Sequence, residues 1–86
     1  MNNIGEEVCK IKLPKNEDVK LFFNSIVNFE SDLYLCYGSK VIDAKSVMGI
    51  ITLDRSKEMS LRIIEKSEGE FIQIKELMMS YGYALA

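Results

Sequence analysis

Short stretches of the chain alternate between hydrophobic and polar residues, a period of two that is typical of strands with one buried face. The first stretch runs from Glu7 to Leu13 and is stopped by Pro14, and it places Cys9 and Ile11 on the same side as Leu13. Three later stretches have the same character and are predicted as further strands: 32–37, 40–43 and 58–65.

Two longer stretches repeat their hydrophobic residues at helical spacing. The first begins at Asn16, which we predict as its N-cap, and it has Glu17 and Asp18 in the first turn, where the helix dipole favours acids. Its predicted buried stripe consists of Val19, Phe22, Phe23 and Ile26. The second helix has a predicted buried stripe made of Phe71, Ile74, Met78 and Tyr81. Gly82 suits the position that follows the end of that helix.

A third helical stretch is short and unusually apolar. Ser46 stands where an N-cap is expected, and it shares one face with Ile50 and Leu53. The other apolar residues lie largely off that face: Val47, Met48 and Ile51. Because a small domain rarely buries both stripes of a two-turn helix, we predict that the second stripe is an exposed patch beside a modifiable hydroxyl. The alternative is purely structural, with Ser46 acting only as a cap and Met48 filling a gap in the core.

These elements follow one another in the order β-α-β-β-α-β-α. The dipeptide Gly38-Ser39 is typical of a tight hairpin between the second and third strands. One-sided strands and amphipathic helices favour an antiparallel sheet whose helices lie on one side. We therefore predict an α+β open-faced sandwich, a four-stranded antiparallel sheet with three helices on one face, formed by a single domain over residues 1–86.

Composition narrows the classes of function. The chain has 86 residues, a net charge of −2 and no histidine. This charge argues against general nucleic-acid binding, which needs a basic face. Without histidine, a serine or cysteine nucleophile lacks its usual base, so we expect neither enzyme activity nor a cofactor. The beginning of the chain lacks the features of a signal peptide and no apolar run could span a membrane, so we expect a cytoplasmic protein.

The thiols and acids also indicate ordinary structural roles. Cys9 and Cys36 lie on different predicted strands without metal-binding spacing, so we interpret them as buried, reduced thiols and expect no metal. The acids are scattered along the sequence. One group of them is interpreted as solvated surface: Glu65, Glu68 and Glu70.

The run Lys45-Ser46-Val47-Met48-Gly49, with Leu53 after it, resembles the regulatory-serine segment of HPr, the phosphocarrier of the bacterial sugar phosphotransferase system. The similarity continues without a gap through most of the chain, including 32–35 and 37–40. The resemblance implies the HPr fold and implies that Ser46 is a regulatory phosphorylation site. We predict a protein-binding surface beside this serine, formed by Lys45, Val47, Met48 and Ile51.

A second motif of that family, Gly-Leu/Ile-His-Ala-Arg-Pro, carries the phosphoryl group on its histidine. In the aligned stretch, Lys15 takes the place of the histidine, Glu17 that of the arginine and Asp18 that of the proline. A lysine keeps its proton at pH 7, and the two acids repel a phosphate. These three residues therefore form a degenerate carrier site, at which we expect no phosphoryl transfer.

The resemblance implies a regulatory protein similar to the HPr homologue of catabolite repression, which also lacks the phosphoryl-bearing histidine. The expected partners are proteins, namely the HPr serine kinase/phosphorylase and a sugar-response transcription regulator, without direct binding of nucleic acid, membrane or metal. Glu17 departs from the arginine that helps the family contact this regulator, which leaves that interaction open. Two alternatives remain: a constitutive binding module that uses the apolar patch without phosphorylation, and a true phosphocarrier.

Overall fold

The computed structural model describes residues 6–13, 15–53 and 57–84 and has the predicted order of elements. The strands are β1 (Glu6–Ile11), β2 (Asp32–Tyr37), β3 (Lys40–Asp43) and β4 (Met59–Ile64). The helices are α1 (Asn16–Ile26), α2 (Val47–Ile51) and α3 (Glu70–Ser80). All neighbouring strands are antiparallel, in the spatial order β1-β4-β2-β3. The predicted α+β architecture is therefore confirmed.

One hydrophobic core lies between the sheet and the helices. The alternating residues of β1, β2 and β4 and the inward stripes of all three helices belong to a single buried cluster, against which Ile42 of β3 packs. Each of these elements turns one apolar face inward. The largest of its fully buried side chains include Phe22, Ile26, Leu35, Ile50, Leu61, Ile63, Ile74 and Met78. The opposite face of the sheet is open, and Val8 and Val41 are exposed there. The helices thus cover one side of the sheet, as the patterns predicted.

The start of α1 differs from the prediction by one residue. Lys15 is the N-cap and Asn16 is already helical. The reason is a pair of reciprocal bonds, in which the Asp18 carboxylate accepts from the Lys15 backbone N–H (3.1 Å) and the Asp18 backbone N–H donates to the Lys15 carbonyl (3.0 Å). A carboxylate at the third helical position can close a helix start without a capping side chain at the first. The predicted cap at Asn16 is wrong for this reason.

The residues after α3 also differ from the prediction. Tyr81, predicted in the buried stripe of α3, is 44% exposed, whereas Tyr83 is only 5% exposed. Gly82, at a φ of +79°, occupies the left-handed position after the helix and turns the chain back. The Tyr83 carbonyl then accepts from the Lys12 backbone N–H (3.0 Å), so the C-terminal segment lies against the end of β1. Phe71, also placed in that stripe, is half-buried and packs at the edge of the core.

The first residue of α3 holds the loop that precedes β2. The Glu70 carboxylate accepts hydrogen bonds from the backbone N–H groups of Glu30 (3.1 Å) and Ser31 (2.8 Å), and from the Ser31 hydroxyl (2.5 Å). That hydroxyl is fully buried and also accepts from the backbone N–H of Lys66 (3.1 Å). Glu70 is therefore not the solvated surface residue that we predicted. It joins two loops to the start of a helix.

The two cysteines differ in their environments, and both thiols are free. Cys9 is buried in the core, as predicted, and this burial raises the pKa of its thiol against the opposing charge of Lys75. Cys36 is only half-buried because it lies on the open face of the sheet, which corrects the prediction that both are buried. No helix within the described ranges has the length and apolar character needed to cross a bilayer.

The environment of Glu70 generates a prediction about acid stability. Burial raises the pKa of its carboxyl, but the hydrogen bonds from Ser31 and Glu30 and the charge of Lys45 outweigh this effect, so the pKa lies below its ordinary value. A carboxyl with a lowered pKa in the folded state stabilises the fold above its unfolded pKa, and this stability is lost as the pH falls through the folded pKa. We expect Glu70→Gln to lower the free energy of unfolding by about 1–3 kcal/mol at neutral pH, and the difference to shrink below about pH 4.

Urea denaturation from pH 7 down to pH 3 measures this effect. Glu76→Gln is the matched control, because Glu76 lies exposed on the same helix and should change the stability little at any pH. A constant difference between wild type and Glu70→Gln across this range would contradict the assignment of the carboxylate as a charged acceptor.

Candidate functional site

Ser46 lies where the sequence predicted it, at the start of α2. Its hydroxyl accepts a hydrogen bond from the backbone N–H of Gly49 (3.3 Å), and its carbonyl accepts from the backbone N–H of Ile50 (3.0 Å). The predicted N-cap is confirmed, since this bond satisfies a backbone donor that the helix itself leaves open. The serine is half-buried, so the capping bond leaves part of its surface in contact with solvent.

The five residues of α2 bury one stripe and expose the other. Ile50 is completely buried, whereas Met48 is 77% exposed and Ile51 is 53% exposed. Val47 is half-buried and packs at the edge of the core. The predicted exposure is therefore confirmed for Met48 and Ile51 and holds only in part for Val47. We call the exposed pair the α2 patch; its predicted role in protein binding stays a prediction.

The α2 patch continues into a shallow groove between α1 and α2. The groove is lined by residues from both helices: Asn16, Glu17, Val19, Lys20, Val47 and Ile51. The fold thereby brings Glu17, one of the three positions aligned with the carrier motif, onto the same surface as α2. Sequence spacing alone could not establish this proximity, because residues 27–46, which include the β2–β3 hairpin, separate the two helices.

Lys45 has a different environment from the one predicted. Its ammonium donates to the carbonyl oxygens of Phe29 (2.5 Å) and Ser31 (2.9 Å), and the side chain is half-buried. The prediction that this lysine belongs to an exposed binding surface is therefore corrected, because its ammonium binds carbonyl oxygens of the loop before β2. The sequence offered no signal for this contact, which joins residues fourteen and sixteen positions apart.

In the degenerate carrier site, the Asp18 carboxylate binds the backbone at the start of α1. Lys15 and Glu17 are exposed, whereas Asp18 is half-buried. Besides the backbone bond from Lys15, the Asp18 carboxylate accepts a hydrogen bond from the hydroxyl of Tyr83 (3.3 Å). The pKa of Tyr83 is raised to about 12, mainly because burial desolvates its hydroxyl. The charge and hydrogen bond of Asp18, and then the charge of Tyr81, raise it further. A carboxylate thus occupies the helix start at which a carrier would need donors for phosphate.

The three helices differ in the side-chain group that accepts a hydrogen bond from a backbone N–H at the helix start, and we say that this group closes the start. Asp18 closes α1, and the Glu65 carboxylate accepts from the backbone N–H of Phe71 (2.9 Å) in the first turn of α3. Glu65, like Glu70, was predicted as solvated surface, and that prediction is wrong for the same reason. Only Ser46 of α2 closes its helix start, among those the structure describes, with a neutral hydroxyl.

Metal chemistry has no support in the described part of the chain. Nowhere in residues 6–13, 15–53 and 57–84 do three or more acidic, cysteine or histidine side chains gather into a group that could bind a metal ion.

Comparisons with known proteins bear on the fold. No protein-family model matches the chain, and no curated protein matches it. Among solved structures, it resembles the crystal structure of HPr-C-His from Thermoanaerobacter tengcongensis with a TM-score of 0.66. The two chains are 23% identical, and the match covers 90% of this chain and 92% of that one. The likeness therefore confirms an HPr-like fold over nearly the whole chain.

Proposed function

We propose that this chain is an HPr-like regulatory protein of a bacterial phosphotransferase system, inactive as a histidine phosphocarrier and switched by phosphorylation of Ser46. The proposed protein acts in the cytoplasm by binding other proteins and catalyses no reaction itself. The observation that carries the proposal is the contrast between the helix starts, since carboxylates close α1 and α3 and a modifiable hydroxyl closes α2.

Phosphate on Ser46 would suit the local structure. A phosphoserine at a helix start is compatible with the free backbone N–H groups and the positive end of the helix dipole. It would add a charge of about −1.5 to −2 directly beside the α2 patch. A charge of that size next to exposed Met48 and Ile51 changes which protein surfaces can bind there, which is the basis of the proposed switch.

The loss of carrier function has support of its own. The chain contains no histidine, and Lys15 stands at the aligned position. Asp18 accepts from the Lys15 backbone N–H, and Glu17 adds a second negative charge at the same helix start. The partners proposed from the resemblance are the HPr serine kinase/phosphorylase and a sugar-response transcription regulator. Glu17, in place of arginine, favours a change in how the second partner is contacted.

A second candidate function is a constitutive binding module that uses the α2 patch without phosphorylation. The observation in its favour is the exposure of Met48 and Ile51, of which Ile51 also lines the groove shared with α1. This apolar surface is available without any modification. The two candidates differ in one measurable property, the uptake of phosphate on Ser46.

The HPr serine kinase with ATP tests the first candidate. We expect it to label wild type, and Ser46→Ala to abolish labelling and to lower the free energy of unfolding by about 1 kcal/mol through loss of the cap. Ser46→Asp should keep most of the stability, because an aspartate also caps and suits the dipole. Labelling of Ser46→Ala at another residue, or no labelling of wild type, would contradict the proposal.

Alanine substitutions in α2 separate the patch from the core. Met48→Ala and Ile51→Ala should change the free energy of unfolding by less than about 0.5 kcal/mol. Ile50→Ala, the matched control on the buried stripe, should lower it by about 2–5 kcal/mol. The two patch variants should also slow labelling by the kinase, since the α2 patch lies beside its substrate serine. Strong destabilisation by both would show that the patch is structural.

Phosphoenolpyruvate and the general phosphotransferase enzyme test the loss of carrier function. Wild type should take up no acid-labile phosphate. Lys15→His alone should transfer poorly, because Glu17 and Asp18 still repel phosphate at this helix start. The triple variant Lys15→His, Glu17→Arg and Asp18→Pro should transfer better than the single variant. Efficient transfer by Lys15→His alone would show that the two acids matter little.

A further inference from the structure

The loop at residues 29–31 lies between two side chains of opposite charge. On its carbonyl side, the Lys45 ammonium donates to the oxygens of Phe29 (2.5 Å) and Ser31 (2.9 Å). On its N–H side, the Glu70 carboxylate accepts from the backbones of Glu30 (3.1 Å) and Ser31 (2.8 Å). Each charge is matched to the dipole it faces, since a cation meets carbonyl oxygens and an anion meets N–H groups. We call this arrangement the Lys45–Glu70 clamp.

The clamp is continuous with the turn that presents Ser46. The Lys45 backbone N–H donates to the Asp43 side chain (2.8 Å), and the Ser46 backbone N–H donates to the Asp43 carbonyl (3.0 Å). These local bonds shape the turn, and the Ala44 backbone N–H ties its beginning to β2 by donating to the Leu33 carbonyl (2.8 Å). The Lys45 side chain adds a second link, because it runs from the turn to the loop before β2 and is half-buried there.

We propose that the Lys45–Glu70 clamp holds the Ser46 turn in the orientation in which the serine is modified, with Lys45 as a positioning residue. This inference rests on the proposed phosphorylation of Ser46. The clamp would control how that serine is presented for modification. A residue that anchors the turn acts through geometry, so its loss loosens α2 as well as slowing the modification. The five-residue helix depends on such anchors, because isolated helices of this length are unstable in water.

Amide hydrogen exchange measured by NMR tests the clamp without any kinase. The reporters are the backbone N–H groups of Gly49 and Ile50, both bonded to Ser46. The Leu61 amide of the central strand β4 corrects for global unfolding. We expect Lys45→Met and Glu70→Gln each to speed the exchange of the two reporters about fivefold relative to Leu61, the factor that corresponds to one lost hydrogen bond.

Two further variants control for charge. Lys66→Met removes the ammonium of a neighbouring lysine, which makes an exposed ion pair with Asp32 (3.1 Å), and it should leave the exchange unchanged. Lys45→Arg keeps a cation that can donate to the same carbonyls and should restore most of the protection. If Lys45→Met fails to fold, Glu70→Gln still tests the other half of the clamp.

Labelling with the HPr serine kinase and ATP then tests positioning. We expect kcat/KM to fall about fivefold in both Lys45→Met and Glu70→Gln, in step with the exchange. A fall in Lys45→Met alone, with unchanged exchange, would assign the lysine to direct kinase contact and overturn the proposal. Unchanged exchange at Gly49 and Ile50 in both variants would also overturn it. If wild type is not labelled, the proposed function fails, and the exchange measurements alone decide whether the clamp holds the turn.

Discussion

The structure depends on burying one apolar layer between one face of a sheet and three helices. Each strand offers a single hydrophobic face and each helix a single inward stripe, so the chain builds one core and leaves the other sheet face in water. The consequence for function lies in α2, which is so short that it buries Ile50 completely and Val47 only in part. Its other apolar side chains, Met48 and Ile51, are left in solvent by the same packing that fixes the helix.

Charge then distinguishes three helix starts that otherwise have the same backbone chemistry. Every α-helix leaves unsatisfied N–H groups at its first turn, and these groups attract any nearby anion. In α1 and α3 the chain supplies that anion itself, through Asp18 and Glu65. In α2 it supplies the neutral hydroxyl of Ser46. The three helix starts of this fold therefore differ in charge, with a carboxylate at two of them and a neutral hydroxyl at the third.

The loop at residues 29–31 adds a long-range constraint to this local chemistry. Ser31 is fully buried, and its groups are satisfied by Glu70, Lys66 and Lys45 from three other parts of the chain. A buried hydroxyl without such partners would be costly, so these contacts are mutually dependent. They connect the starts of α2 and α3 across the domain. The turn before α2 is in this way tied to residues far from it in sequence.

The sequence by itself determined the order of elements, the antiparallel one-sided sheet and the cap at Ser46. These features follow from hydrophobic periodicity and local hydrogen bonding, which act over a few residues and are visible in the order of amino acids. The exposure of Met48 and Ile51 could be predicted for the same reason, because two stripes of one short helix cannot both face the core.

Only the tertiary structure decided the roles of Lys45, Glu70 and Tyr83. A lysine beside a serine, an acid at a helix start and a tyrosine near the chain end are each ordinary in sequence. Their partners lie from fourteen to sixty-five residues away and come close only when the sheet and helices pack. Long polar side chains bind whatever group the fold brings within reach, and periodicity carries no information about that group. For this reason the candidate serine could be found in the sequence, and the contacts that hold its turn could not.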